Sequence, residues 1–301
     1  MLQSKKNKLL KRFDWRILVI FIPGLIFVSM FVFYPMIKMI VMSFFDWKIG
    51  YQQISPYVGL GNYIEVLNDP IAKTAIINTF VYVAVTVPFQ MVLGLLIAVL
   101  INGITKYSVF FRISYYLPVI TSWVIVALLF RYIFSNSGLL NYFITDILHI
   151  VNEPIGWLST RWSALFVAMI LGIWKGIGWN MIIFLAALQA VSKDQYEAAD
   201  MDGANRVQKF FHITIPGIKG TIVFALIMLT IGAFNTYTPI SVLTGGNPYH
   251  QTEVVLTWMY FQTFDALNMG YSAALSVIIA LIILVITIVM FKLTRFNGDP
   301  K

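Results

Sequence analysis

The stretch that decides the fold is Glu197-Ala198-Ala199-Asp200-Met201-Asp202-Gly203-Ala204, which runs on to Ile213-Thr214-Ile215-Pro216. It is the longest segment of charged and small residues in a chain that is otherwise mostly apolar. Ser192, just before it, predicts a helix start. Gly203 predicts the end of that helix or a hinge into a second one, because glycine leaves helical geometry without a steric penalty. The residues alone fit either two short hinged helices that seat in another protein, or an amphipathic loop on the membrane surface.

The spacing of this stretch resembles the cytoplasmic signature loop of bacterial ABC importer permeases. The pattern is Glu-Ala-Ala, three residues, Gly, nine residues, Ile, one residue, an aliphatic residue and Pro. Asp202-Gly203-Ala204 is similar to the carbohydrate-uptake branch, and Ile215 stands where the family usually has Leu. The resemblance implies a type I importer permease fold, with the loop seated in a cleft of a separate ATP-hydrolysing subunit. The ATPase-coupling residues that it implies are Glu197, Ala198, Ala199, Asp202, Gly203, Ala204, Ile213 and Pro216.

The resemblance also assigns roles within this loop. Glu197 is expected to make a charge contact with the ATPase subunit. Ala198 and Ala199 are expected to allow close helix approach, and Gly203 to provide the turn. ATP and magnesium are expected on the partner ATPase, and this chain is expected to bind no cofactor and no metal. It is expected to be a transport subunit and not an enzyme.

Composition independently predicts an all-α polytopic membrane protein. Hydrophobic residues make up 59% of the chain and charged residues 11%, and there is no cysteine to form a disulfide or a thiolate metal site. A helix needs about 20 apolar residues to cross the hydrocarbon core. The apolar runs that meet this length predict six spans, over residues 17–33, 76–101, 113–134, 163–188, 221–243 and 273–293. Six spans place both termini on the same side.

Loop charges predict which side that is. Fifteen Lys and Arg residues lie on the side that carries the termini and the signature loop, against five on the other side. Positive residues favour the cytoplasm, so both termini are predicted to be cytoplasmic and nucleic-acid binding is not indicated. The predicted organisation is a basic N-terminus (1–16), a first span with an outer loop (17–72), a permease core (73–293) containing the coupling loop 189–220, and a cytoplasmic tail (294–301).

Two outer segments also resemble sugar permeases. One is the region from Phe33 to Trp47 with the Gly-x-x-Asn-Tyr element that starts at Gly59-Leu60-Gly61-Asn62-Tyr63, and the other is Leu243-Thr244-Gly245-Gly246-Asn247-Pro248. In the second segment Asn247 interrupts a Thr-x-Gly-Gly-Pro turn. The resemblance implies that these loops face an external sugar-binding protein. Interfacial anchoring for the aromatic residues, and a plain turn for the second segment, remain the simpler alternatives.

Polar residues inside the predicted spans are the candidates for the substrate path. Asn78, Tyr82 and Gln90 recur at multiples of four residues and share a helix face. Trp174, Lys175, Trp179 and Asn180 cluster in the fourth span, and Asn235 with Thr236 forms a weaker candidate in the fifth. An indole can pack on a sugar ring while an amide or amine binds hydroxyls. The alternatives are hydrogen bonds between packed spans, a snorkelling Lys175 and Trp residues packed in the core.

Together these features predict the transmembrane permease subunit of an ATP-driven, binding-protein-dependent sugar importer in the bacterial cell membrane. A di- or oligosaccharide is the expected substrate, and glycerol-3-phosphate or another acidic or modified sugar is the alternative. The expected partners are membrane lipid, a second homologous permease subunit, a dimeric phosphate-loop ATPase and an extracytoplasmic sugar-binding protein. A stand-alone secondary carrier is disfavoured, because no Asp or Glu lies inside a predicted span. No phosphate-loop motif occurs in this chain.

Overall fold

The computed structural model describes residues 15–47, 55–104 and 106–295, and regular structure in these ranges is helical. The helices are α1 (Trp15–Val28), α2 (Tyr34–Met42), α3 (Gly61–Asn68), α4 (Pro70–Asn102), α5 (Ser108–Ile120), α6 (Trp123–Ile133), α7 (Leu139–Tyr142), α8 (Arg161–Ala190), α9 (Lys193–Met201), α10 (Arg206–Lys209), α11 (Ile215–Gly217), α12 (Lys219–Phe234), α13 (Thr238–Leu243), α14 (Val255–Phe264) and α15 (Met269–Arg295). Wider π-helical turns at Ser29–Phe33 and Phe210–Thr214 join α1 to α2 and α10 to α11, and Phe143–Ile147 extends α7. Except for the ends of α1 and α15, the predicted basic segment 1–16 and tail 294–301 lie outside the described residues.

Within the described ranges, five stretches are long and apolar enough to cross a membrane: Ile20–Met42, Pro70–Asn102, Arg161–Ala190, Lys219–Leu243 and Met269–Leu293. The sixth predicted span, over 113–134, is not one straight helix. It is the pair α5 and α6, which is bent by 92°. The backbone is extended at Thr121 (ψ 151°) and Ser122 (ψ 134°), and Pro118 in the last turn of α5 cannot donate a helical hydrogen bond. The sequence predicts a span there from apolar length, and the structure divides that span between two helices.

Helix α4 begins at Pro70, earlier than the predicted span start at residue 76 and the predicted core boundary at residue 73. The Asp69 side chain accepts a hydrogen bond from Ile71 N at 2.7 Å, and Pro70 occupies the first turn, where its missing N–H costs nothing. Asp-Pro is a start signal that apolar periodicity alone overlooks, because the first turn of the helix carries Lys73 and Thr74.

Helices α4 and α8 form the most extensive helix pair of the described chain. Glycines let them approach closely, as is usual where helices pack in lipid. A Cβ on Gly172 would lie 2.2 Å from Tyr82 OH, and one on Gly176 would lie 2.1 Å from Gln90 Oε1. The glycines of α8 therefore make room for the polar side chains of α4.

Three buried clusters follow α4 from one end to the other. Near Asp69, Ala72 and Ala75 pack with residues of α14 and α15. Tyr82 and Val87 belong to the middle cluster, with residues of α6, α8 and α13. Near Asn102, Ala98 packs with the last turns of α8 and the residues that lead into α12. The segment between α8 and α12, which contains the signature stretch, therefore lies at the Asn102 end.

The fifth span is also broken. Helix α12 ends at Phe234 and α13 begins at Thr238, and both belong to the span Lys219–Leu243. Non-helical backbone at membrane depth needs polar partners or a water-filled cavity beside it. The two broken spans supply the walls of such a cavity.

Candidate functional site: a cavity at two helix breaks and a coupling hairpin

A cavity of about 420 Å³ lies where the two broken spans face α4 and α8. Its lining residues are Tyr82, Gln90, Val119, Trp123, Gly172, Lys175, Gly176, Trp179, Leu229, Gly232, Ala233, Asn235, Thr236, Tyr237, Thr238 and Pro239. The break between α5 and α6 supplies Val119 and Trp123, and the break between α12 and α13 supplies the run from Asn235 to Thr238. A volume of this size fits a small ligand, and its wall combines aromatic rings with amides and hydroxyls.

The structure brings five of the eight substrate-path candidates to this cavity: Tyr82, Gln90, Lys175, Trp179 and Asn235, together with the weaker candidate Thr236. Trp123 and Tyr237 also line the cavity, but the sequence did not predict them as substrate-path residues. Both flank a break, and periodicity treats each broken span as one helix. The available signal was proline, since Pro118 and Pro239 stand beside the two breaks.

Lys175 occupies an unusual position in the cavity wall. It is only 3% exposed. Its Nζ donates to the carbonyl oxygens of Pro118 at 2.6 Å and Thr121 at 2.7 Å, and lies 3.3 Å from that of Val119. The amine also sits 4.9 Å from the centre of the Trp123 ring. Its partners are therefore the carbonyls of the last turn of α5, the carbonyl of Thr121 that follows it, and the first aromatic ring of α6.

Asn78 does not line the cavity and lies near the Asp69 end of α4. Its Nδ2 donates to Gln251 O at 2.9 Å and to Glu253 O at 2.6 Å. Its Oδ1 accepts from Arg161 Nε at 2.9 Å. This fully buried amide thus ties α4 to the start of α8 and to the loop before α14, in the manner of an interhelical hydrogen bond.

Trp174 and Asn180 also lie away from the cavity lining. Trp174 is 45% exposed and packs against Phe130, with ring centres 5.8 Å apart. Asn180 is fully buried, and its Nδ2 donates to Gly176 O at 3.0 Å within its own helix. Asn180 sits behind Gln90, whose Oε1 lies 3.5 Å from the same Nδ2.

The signature stretch folds into two short helices joined at Gly203, which we call the coupling hairpin (residues 192–216). Ser192 caps α9, because its Oγ accepts from Asp194 N at 3.2 Å. Gly203 has φ +77°, a left-handed conformation that favours glycine. Gly203 N donates to Asp200 O at 3.1 Å and Ala204 N to Ala199 O at 2.9 Å, which is the hydrogen-bond pattern of a Schellman C-cap.

Two side-chain contacts hold the arms of the coupling hairpin together. Lys209 Nζ pairs with Asp200 Oδ1 at 2.5 Å, and Tyr196 OH lies 2.9 Å from Thr214 Oγ1. The second contact is half-buried, so it is less screened by solvent than the first. The hairpin is therefore folded in this chain alone.

The free side of the coupling hairpin carries a hollow of about 380 Å³, lined by Ala199, Asp202, Gly203, Ala204, Gln208, Lys209, His212 and Ile213. Large apolar side chains of the same hairpin are exposed, with Met201 at 89%, Val207 at 65% and Phe211 at 61%. Glu197 and Ala198 are exposed on α9, and Pro216 is exposed in α11. Exposed apolar side chains close together on a surface are typical of a protein contact site.

The outer turn predicted around Gly245-Gly246 is present, with both glycines at positive φ (+57° and +85°). Asn247 is accommodated there, and its carbonyl oxygen accepts from Thr252 Oγ1 at 2.9 Å. The following residues return to the bundle, where buried Glu253 pairs with His250 Nδ1 at 2.9 Å. The turn is thus anchored to the same end of the molecule as Asp69.

Residues 69–297 match the protein family described as the binding-protein-dependent transport system inner membrane component. This chain belongs to that family. It is therefore a multi-pass component of a bacterial inner membrane, and a transport subunit instead of an enzyme.

Relatives of this permease cover nearly its full length. It is 37% identical to the arabinooligosaccharides transport system permease protein AraP of Halalkalibacterium halodurans, over 87% of this chain and 82% of that protein. It is 31% identical to the lactose transport system permease protein LacF of Rhizobium radiobacter, over 98% of this chain and 99% of that protein. A solved bacterial ABC transporter that imports the acidic polysaccharide alginate contains a chain of the same fold, with a TM-score of 0.82, 25% identity and coverage of 99% and 100%. The ABC importer permease fold expected from the sequence is confirmed.

Proposed function

We propose that this permease forms one half of the translocation path of an ATP-driven sugar importer, and that the cavity at the two helix breaks is where a di- or oligosaccharide passes. The observation that carries the proposal is the cavity itself, because helix breaks bring aromatic rings, amides and hydroxyls to one place at membrane depth. The relatives named for arabinooligosaccharide and lactose transport support a saccharide.

In this proposal, four side chains of the cavity wall contact the sugar. Trp179 offers a flat apolar face to the ring carbons of a sugar. Gln90 and Asn235 offer amides to its hydroxyls, and Tyr82 offers a phenol. Asn78, Trp174 and Asn180 act as packing and hydrogen-bonding residues in the surrounding helices.

We propose that the coupling hairpin seats in a dimeric phosphate-loop ATPase, on which ATP and magnesium are bound. The hairpin has its own caps and cross-contacts, and it presents a hollow and several exposed apolar side chains. Glu197 lies exposed on α9, where it is free to make the charge contact that the resemblance assigns to it. Motion of the ATPase would then pass through α9 and Gly203 into the ends of α8 and α12.

A second permease chain completes the path in this proposal. Large apolar side chains are exposed from α1 through the π-helical turn to α2 and on the bent pair, for example Phe21, Phe31, Phe110 and Leu129. They suit contact with lipid and with another membrane subunit. The Asp69 end would face an extracytoplasmic binding protein, and the alginate transporter has been solved in complex with a pentasaccharide-bound periplasmic protein. Both termini would then be cytoplasmic, since α15 runs away from the Asp69 end.

Co-purification from the native host tests this assembly. The tagged permease, extracted in mild detergent, is expected to bring with it a phosphate-loop ATPase and a second permease of the same family, identified by mass spectrometry. A chain that is recovered alone, and that transports a sugar in vesicles without ATP, would instead identify a self-contained carrier.

A further inference from the structure

Charge is almost absent from the cavity wall. Among the lining residues within the described ranges, Lys175 is the only one with a charged side chain, and the others are aromatic, aliphatic, glycine, amide or hydroxyl residues. In this chain's half of the path, selection of an acidic substrate over an uncharged one therefore depends on whether Lys175 is free to bind it. A chain of the same fold belongs to a transporter that imports the acidic polysaccharide alginate, so both substrate classes have to be considered.

The three N–H groups of Lys175 are already directed at protein oxygens. Two short bonds reach the carbonyls of Pro118 and Thr121, at 2.6 and 2.7 Å, and the carbonyl of Val119 lies 3.3 Å away. The last carbonyls of any helix lack partners inside that helix, and at membrane depth they need another donor. Lys175 supplies a donor at the end of α5, where the Thr121 hydroxyl also donates to Pro118 O at 2.6 Å.

Electrostatics favours the same role. The C-terminal end of α5 carries partial negative charge from its aligned peptide dipoles, so a cation placed there is stabilised. The Trp123 ring, 4.9 Å from Nζ, presents its negative face to the amine from the start of α6. Lys175 thus contacts both arms of the 92° bend.

We infer that Lys175 is a positioning residue that caps α5 and fixes the bend, and that this chain's half of the path consequently selects uncharged sugars over acidic ones. Turning the amine to a substrate carboxylate would take the Lys175 donor away from Thr121 O and leave Pro118 O with the Thr121 hydroxyl alone. The groups left to meet a substrate are then neutral donors and acceptors and aromatic faces. The substrate part of this inference rests on the proposed function, whereas the part about the bend does not.

Spin labels on the two arms test the role of Lys175 in the bend. The chain has no cysteine, so Val109→Cys and Leu129→Cys, both at exposed positions, give a clean label pair. At 1.5 Å per residue, straightening the 92° bend would lengthen the distance between the labelled backbone positions by up to about 8 Å. We expect Lys175→Met to lengthen or broaden the distance distribution in the complete importer, and Lys175→Arg, which keeps donors, to preserve it.

A second variant keeps this test decisive if Lys175→Met is not recovered. Lys175→Gln keeps an amide donor on a shorter side chain, and it should shift the distribution in the same direction by less. An unchanged distribution in Lys175→Met, or in Lys175→Gln where only that variant is recovered, would overturn the capping role.

Uptake by the complete importer in proteoliposomes tests the substrate class. The probes are neutral arabino-, gluco- and galacto-oligosaccharides, set against alginate and galacturonate oligosaccharides. We expect ATP-driven uptake of a neutral probe, no faster uptake of an acidic one, and a Lys175→Met variant that loses turnover with KM changed less than twofold.

The uptake results separate failure of this inference from failure of the proposed function. One such result is faster uptake of an acidic probe than of a neutral one, with Lys175→Met lowering acidic uptake at least tenfold more than neutral uptake. That result would identify Lys175 as an anion site and overturn the inference. Absence of ATP-driven uptake for every probe would contradict the proposed function, while the spin-label distances would still decide what Lys175 does.

Discussion

Two tryptophans of α8 differ in their surroundings because they lie on different faces of the helix. Trp174 and Trp179 are five residues apart, which places them about 140° apart around a helix of 3.6 residues per turn. Trp179 lines the cavity, whereas Trp174 packs outward on Phe130. The sequence offers both as sugar-stacking residues, and only the direction of each side chain separates them.

Trp179→Ala is expected to raise the KM for the transported sugar about tenfold. The lost apolar contact is worth about 1.5 kcal/mol, and each 1.4 kcal/mol corresponds to a factor of ten. Trp174→Ala is the matched control and should leave KM within about twofold, measured as initial uptake rates in vesicles at varied sugar concentration. Equal changes in KM for both variants would contradict the assignment of Trp179 to the path.

Gly203→Val is expected to abolish ATP-driven uptake while the chain remains in the membrane. The position has φ +77°, and a β-branched residue there is strained whatever the space around it, so the Schellman turn between the arms of the hairpin would be lost. The control is Gly220→Ala, at a helical glycine with nothing within 4 Å of the added Cβ. Normal uptake in Gly203→Val, with membrane levels checked by blotting, would refute the coupling role of this turn.

At the scale of helices, the bent pair is held against α8 by close backbone contact. Gly178 of α8 lies under α5, and a Cβ there would be 2.0 Å from Tyr115 O. The obstructing atom is backbone and cannot turn aside. The bend is thus fixed from two sides, by the Lys175 amine and by the absence of a side chain at Gly178.

Gly178→Ala is therefore expected to push α5 away from α8 and to destabilise the protein by about 1–3 kcal/mol, the usual range for overpacking a core. The measurement is the midpoint of thermal unfolding of the purified complex, followed by loss of monodisperse protein. Gly24→Ala in α1, where the added Cβ meets nothing within 4 Å, is the control and should not lower the midpoint. A midpoint unchanged in both variants would show that α5 can move away from α8 without loss of stability.

At the scale of the whole molecule, the Asp69 end is organised by buried polar contacts between distant parts of the sequence. Asn78 joins α4, α8 and the loop before α14. Tyr271 of α15 and Trp258 of α14 both donate to Asp69 Oδ2 at the start of α4, the latter at 3.0 Å. Such contacts fix how the helices are arranged at this end, independently of the cavity.

Asn78→Leu is expected to lower stability without changing KM for the sugar. The substitution leaves the Arg161 guanidinium and two carbonyls without their partner, and each such group costs about 1–3 kcal/mol when buried. Thr74→Val on the same helix is the control, because it removes a hydroxyl that bonds only to Pro70 O, 2.9 Å away in the same helix. If the variant instead raises KM and keeps normal thermal stability, Asn78 contacts the transported sugar.

The polar stripe on α4 illustrates why the site could be predicted only in part. Asn78, Tyr82 and Gln90 share one face, as their spacing predicts, but a helix rises 1.5 Å per residue. Asn78 and Gln90 are thus about 18 Å apart along the axis. One lies among the loops of the Asp69 end and the other in the cavity, because a shared face does not mean a shared depth.

The sequence by itself determined the helical membrane fold, the spans apart from the one that bends, and the glycine turn of the coupling hairpin. These features depend on neighbouring residues, since apolar length, caps and a left-handed glycine act within a few turns of the chain. Only the tertiary structure decided that two spans break, that their breaks meet in one cavity, and that the amine of Lys175 is occupied. Those outcomes depend on carbonyls and rings that come together from α4, α5, α6, α8 and α12, and no local pattern records which distant group will satisfy a freed carbonyl.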